Sequence, residues 1–105
     1  MPEGKNFYEI AQQGGKHSGT YQQALKQSKQ QLEKGIKKMQ RRIQEHYALI
    51  NGPKETMKRL NKGDWDSLDP RQQEALLEKK WPSDIQRLSE QMSILQEVLK
   101  VKHGH

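Results

Sequence analysis

From residue 28 onward the apolar residues return at alternating spacings of four and three, the period of a helix that buries one face. Leu32, Ile36, Met39, Ile43 and Ile50 make the first series, with His46 at the step between Ile43 and Ile50. "SKQQ" opens it: Ser28 followed three residues later by Gln31 is a capping box, in which each side chain satisfies a backbone N–H of the first turn. "NGP" at 51–53 predicts its end, because asparagine and glycine accept a left-handed C-cap and proline cannot continue the ladder. Residues 54–68 read as a mixed connection anchored inward by Met57, Leu60, Trp65 and Leu68. "DPRQ" then predicts a short helix to about Lys80, with Asp69 as N-cap, Pro70 at the first helical position and Gln72 closing a second box. Trp81 precedes Pro82, which disfavours helical backbone at 81, and "SDIQ" offers a fresh start at Ser83. Beyond Ile85, the series Leu88, Met92, Leu95 and Leu99 repeats the three-and-four spacing.

Two long amphipathic helices joined through a shorter one must bury their stripes against each other. The expected fold is therefore all-α, a small three-to-four-helix bundle with Ile36, Met39, Ile43, Leu88, Met92 and Leu95 in a common core. No strand-period segment or internal repeat competes with it. Residues 1–19 differ: they are polar, hold four of the eight glycines, and have only "FYEI" as an apolar patch. The chain thus divides into a Gly-rich N-terminal loop over 1–19, carrying Lys16 and His17, and a helical domain over 20–105. Ser18 or Thr20 is placed to cap a short helix through about Lys26.

Composition narrows the function. With 105 residues, 30% of them apolar, and a mean hydropathy of -1.19, the core is modest. Nineteen Lys and Arg against thirteen Asp and Glu give a net charge of +6, which either favours polyanionic partners such as nucleic acid or anionic membrane or marks only the lysine-rich surface of a soluble helical protein. The absence of cysteine excludes disulfide scaffolds, thiolate zinc sites and thiol nucleophiles. No apolar run is long enough to span a bilayer, and "MPEGKNFYEIAQQ" lacks the apolar core of a signal peptide, so export of this domain would depend on another segment.

The chemistry concentrates in two places. In "GGKHSG", either Gly14, Gly15 and Gly19 let backbone approach a phosphate while Lys16 supplies charge and His17 moves a proton, or the stretch is a flexible glycine linker with an accidental Lys-His pair. His46 occupies a seam position where a bundle would place an aliphatic side chain; it is either a core-edge histidine or a second acid/base group. A metal-free ribonuclease needs a base for the 2′-hydroxyl, an acid for the leaving 5′-oxygen and a cation for the phosphoryl charge, and His17, His46 and Lys16 fill that set. The spacing required of a P-loop lysine is absent. No cofactor or metal site is expected; His103 and His105 read as a solvated tail. Lys37, Lys38, Arg41 and Arg42 line up at i, i+4 along the long helix as a ridge able to track phosphates, or as a solvated face. Lys79 and Lys80 flank Trp81, whose ring either plugs the core or stacks on a base.

"GGKHSG", then "IQEH" in a basic helix, then "LDPRQQ" with "ALLEKKWPSDI" and a last amphipathic helix, together resemble the C-terminal toxin domains of bacterial polymorphic toxins of the contact-dependent growth-inhibition and Rhs types. The resemblance covers roughly residues 13–99. It implies a ribonuclease acting on transfer RNA, in some members with elongation factor Tu, and neutralised by a cognate immunity protein expected here to be acidic. Such a domain is exported at the end of a large effector and acts in the cytoplasm of a target bacterium. The pattern falls on Lys16, His17, His46, Asp69, Arg71, Trp81 and Asp84. Asp69 and Trp81 already have structural uses as cap and core plug. Arg71 and Asp84 stay open, each able to hold a catalytic histidine or to belong to a helix-surface pair. The rival reading is a non-enzymatic basic helical module that binds RNA or a protein partner.

Overall fold

A computed structural model describes residues 7–104 of the chain; residues 1–6 and His105, including that part of the 1–19 segment and of the C-terminal tail, lie outside the described residues. The protein is all-α, with no strand among the described residues. Its helices are α1 (Phe7–Gln12), α2 (Ser18–Leu25), α3 (Lys29–Asn51), α4 (Pro53–Arg59), α5 (Pro70–Ala75) and α6 (Trp81–His103). Leu76–Lys80 continue α5 into α6 as a π-helical turn, and Trp65–Ser67 form a 3₁₀ turn.

Two of these helices fall where connection was expected. The "FYEI" patch is the apolar face of α1, and Ala11 on it is fully buried. The glycines that follow stop this helix. Gly14 takes φ 85°, and the N–H groups of Gly15 and Gly14 donate to the carbonyls of Ile10 and Ala11 at 2.9 and 3.1 Å, the crossed pair of a Schellman C-cap. Gly15 must also be glycine for space, because a Cβ there would lie 2.7 Å from Ile10 Cγ2. Helix α4 replaces the expected mixed connection over 53–59 and ends the same way, with Asn61 at φ 57° and Lys62 and Asn61 donating to Met57 and Lys58.

The capping box at Ser28 forms as expected: Ser28 N–H donates to Gln31 Oε1 at 2.9 Å, and Gln31 N–H donates to Ser28 Oγ at 3.2 Å. So does the box at Asp69, with Pro70 at the first helical position. "NGP" ends α3 by a different device. Gly52 is extended at φ -149° and serves as the N-cap of α4, so the chain turns without a left-handed residue. Ala48 O, at the end of α3, accepts from both Gly52 N–H and Thr56 Oγ1.

The expected break at Trp81–Pro82 and the restart at Ser83 do not occur. Trp81 is helical at φ -66°, ψ -42°, and the helix runs on through Ser83. A proline inside an α-helix loses one N–H donor and its ring presses on the carbonyl four residues back. The π turn at 76–80 widens the helix where that carbonyl, of Glu78, lies.

The chain divides into two compact units, one from Met1–Gln40 with Ser89–His105 and the other Arg41–Leu88. In the first, Ala11, Ala24, Leu32, Ile36, Ile94, Leu95 and Val98 form the buried cluster, with Met39 and Met92 half-buried against it. A Cβ on Gly35 of α3 would meet Leu95 Cδ2 of α6 at 3.0 Å, so the small residue sets how closely these helices pack. In the second, Leu49, Met57 and Trp81 are buried together, and Trp81 stacks on Trp65 at 5.8 Å between ring centroids. Trp81 is thus a core plug. Leu88 is buried and Ile43 half-buried in this second unit, so the six residues expected in one core are distributed over two units, three of them only half-buried. Burying each Leu or Ile fully contributes about 1.5–3 kcal/mol before the entropy of ordering is counted.

Candidate functional site

The first constellation lies in the first unit. His17 follows the Schellman turn and occupies the N-cap position of α2, with left-handed backbone at φ 66°, ψ 20° and no side-chain capping bond. Serine or asparagine would be the ordinary choice there. A β-carbon in left-handed backbone carries a local cost of order 1–2 kcal/mol, of the kind that accumulates at working sites. Neither Ser18 nor Thr20, the expected caps, fills the position.

The ring of His17 turns inward. Its Nε2 lies 2.8 Å from Glu90 Oε1, and Lys16 Nζ reaches the same oxygen at 3.0 Å. The Glu90 and His17 side chains are 3% and 8% exposed, whereas Lys16 is 60% exposed. An ionised carboxylate can only accept, so His17 donates from Nε2, and a proton on Nε2 leaves Nδ1 with the lone pair of the neutral ring. A buried carboxylate that fixes one ring nitrogen while the other remains for chemistry is the arrangement by which acid/base histidines are oriented. The Lys16 ammonium and the His17 ring N–H, both on one buried carboxylate, also answer the cost of burying that charge.

Glu90 is the residue that sequence reasoning missed. It stands four residues before Ile94 and eight before Val98, both fully buried, so it lies on the true core stripe of α6 in this unit. A carboxylate at an i-4 position of an apolar stripe is the signal that would have found it; the Leu88–Met92–Leu95–Leu99 series drew attention one face away.

The second constellation lies in the Arg41–Leu88 unit. His46 Nδ1 donates to the Arg42 carbonyl, one turn back on α3, at 2.7 Å. Its Nε2 faces Asp84 Oδ2 at 3.4 Å. Both nitrogens therefore face oxygens, and the Nδ1 proton is the one given to the Arg42 carbonyl. Lys80 Nζ binds the same Asp84 oxygen at 3.2 Å and Arg87 Nη2 approaches Oδ1 at 3.5 Å. Partial burial works to raise the Asp84 carboxyl, but the hydrogen bond and charge of Lys80, then the charges of His46 and Arg87, outweigh it and hold the group below its ordinary value.

The remaining expected residues are placed separately. Asp84 makes contacts of both kinds left open for it, facing the His46 ring and pairing with Lys80 and Arg87 at i,i+4 and i,i+3 spacing. Arg71 is exposed in the first turn of α5, and among the described residues only its backbone N–H is engaged, by Asp69 Oδ1. Lys37, Lys38, Arg41, Arg42 and Lys79 are exposed. His103 is no solvated tail: it belongs to the last turn of α6, half-buried, with Nε2 buried and without a hydrogen bond among the described residues. No group of three potential metal ligands gathers among the described residues. Nor is any described helix long and apolar enough to cross a membrane. No family model matches the chain, and comparison with curated proteins and with solved structures finds no match.

Proposed function

We propose that the protein is a metal-independent ribonuclease toxin domain that cleaves RNA, transfer RNA foremost, in competition between bacteria. The observation that carries the reading is the Lys16–His17–Glu90 cluster: an oriented imidazole beside an exposed ammonium, on a residue with left-handed backbone. In this reading His17 is the base. Nδ1 takes the 2′-hydroxyl proton, the 2′-oxygen attacks phosphorus, and the 5′-oxygen departs to leave a 2′,3′-cyclic phosphate. Lys16 exchanges Glu90 for the phosphoryl oxygens as their charge grows. Glu90 is a positioning residue, holding the ring through Nε2.

His46 belongs to the other unit and is assigned by its own contacts alone. Its ring, held by the Arg42 carbonyl and facing Asp84, makes it the candidate acid of the reading. The cognate immunity protein of this reading is acidic, the domain travels at the end of a larger exported effector, and elongation factor Tu is a candidate aid to transfer RNA presentation.

Purified protein incubated with total transfer RNA in EDTA is expected to give discrete cuts ending in 2′,3′-cyclic phosphates. Intact transfer RNA both alone and with target-cell extract, which supplies any host factor, would overturn the proposal. The second reading, a non-enzymatic basic module, draws on the exposed Lys37, Lys38, Arg41 and Arg42 along α3. It predicts RNA retention without cleavage, unchanged by His17→Ala.

A further inference from the structure

A groove of about 620 Å³ opens in the first unit, lined by residues of α2, α3 and α6. It begins at Gly19 and Thr20, in the first turn of α2, and therefore starts within three residues of His17. Its apolar lining comes from Ala24, Met39 and Leu95 together with the backbone of Gly35.

Besides the Thr20 hydroxyl and the Lys34 ammonium, the polar lining is made of the amides of Gln23, Gln27 and Gln31. Gln31 Oε1 is committed to Ser28 N–H, which leaves its NH₂ as a donor. The side-chain amides of Gln23 and Gln27 make no hydrogen bond among the described residues, although Gln27 is half-buried. Each such amide offers two donors and an acceptor, the pattern that reads the edge of a nucleobase. Lys34 lines the groove and, with Lys37 and Glu33, an adjoining depression, so the groove passes into a region carrying one net positive charge.

An apolar surface flanked by unpaired amides, with a cation at one side, matches a flat heteroaromatic base joined to a phosphate. It suits neither a lipid tail, which would strand the amides, nor a bare anion, which has no use for Met39 and Leu95. We propose that this groove is a nucleotide subsite that seats one base of the RNA substrate and so gives the cleavage its sequence preference. The inference rests on the ribonuclease reading for its biological use, but not for its binding chemistry.

The test labels the methionine methyl groups with ¹³C. Met39 lines the groove, and Met57, in the other unit, is the internal control. The full chain is titrated with each of the four nucleoside 5′-monophosphates, and in separate arms with ribose 5-phosphate and inorganic phosphate. The expected result is a saturable Met39 shift with at least one nucleotide, no comparable shift from ribose 5-phosphate or phosphate, and affinity lowered about tenfold in Gln27→Leu, the loss of one good base-edge contact. An unmoved Met39 resonance, or one that ribose 5-phosphate moves equally, overturns the subsite. The two proposals fail separately: binding without transfer RNA cleavage retires the nuclease and keeps the subsite, and cleavage without binding does the reverse.

Discussion

His17 shows how one residue can be costly to the fold and still be legible as chemistry. Nothing in its left-handed backbone or missing cap bond helps α2, yet its ring is anchored to a carboxylate 3% exposed. If that anchor serves catalysis, His17→Gly abolishes cleavage while stability changes by about 1 kcal/mol or less, since glycine removes the β-carbon and its left-handed strain and so offsets part of the lost contact. Lys16→Ala reduces kcat about a hundredfold, the usual loss for one charge-stabilising donor. Glu90→Gln keeps the shape and removes the charge, so kcat falls about tenfold or more with KM little changed, and ¹⁵N resonances of the His17 ring show the Nε2–H tautomer giving way. A purely structural Glu90 would cost stability and leave the activity of the folded fraction intact. Asp84 gives a different readout. Its folded pKa lies below its unfolded value, so its contribution to stability is fully present above about pH 4 and is lost as pH falls through the lower folded value. Thermal melts should therefore show Asp84→Asn less stable than the parent at neutral pH, with the two converging as pH falls below the ordinary Asp range.

At the scale of elements, the glycines of "GGKHSG" separate into kinds that the sequence presented alike. Gly14 and Gly15 end α1, one through φ 85° and the other through the space beside Ile10, whereas Gly19 lies inside α2, where an added β-carbon would meet nothing within 4 Å. Gly15→Ala should cost roughly 1–3 kcal/mol by overpacking, and Gly19→Ala should gain roughly 0.5–1 kcal/mol of helix propensity, both read from urea unfolding midpoints. Loss of cleavage in a stabilised Gly19→Ala would reveal a close phosphate approach at that residue. The same contrast explains what was readable. Ser28 and Asp69 declare their helices because a capping box is closed by neighbours in sequence, and Leu32, Ile36 and Leu95 declare the core because the period is local. Helix α1 was illegible: six residues are too short for a periodic signal, and its stability comes from Ala11 and Tyr8 packing on distant residues. The continuous run through Trp81–Pro82 was illegible for the opposite reason, because the local rule for proline is sound and a π turn upstream overrides it. Of the candidate site, both histidines, Lys16 and Asp84 could be read as chemistry, but the partner of His17 is 73 positions away and only the folded chain pairs them.

At the scale of the whole molecule the controlling quantity is charge. A chain of 105 residues with net +6 repels itself and attracts polyanions, and the cations that could meet phosphate are exposed on α3 rather than folded into ion pairs. The internal ion pairs sit elsewhere, around Glu90 and Asp84 and between Lys54 and Asp66. Neutralising phosphates releases condensed counterions, so RNA affinity should fall log-linearly with salt, with a slope near -0.7 for each phosphate contacted on a single strand. Replacing Lys37, Lys38, Arg41 and Arg42 together by glutamine should flatten that slope by about three units if all four touch phosphate, and by less than one if they form only a solvated face. If the proposed function holds and its acidic immunity protein competes for the same cations, its association rate should drop at least tenfold between low and high salt while its dissociation rate changes little, because steering acts on encounter and not on the docked contacts. Stopped-flow association across a salt series measures both rates. A salt-independent association rate would place neutralisation on a surface away from the basic helix, and a parallel loss of salt dependence in RNA binding would remove the electrostatic basis for a polyanionic substrate altogether.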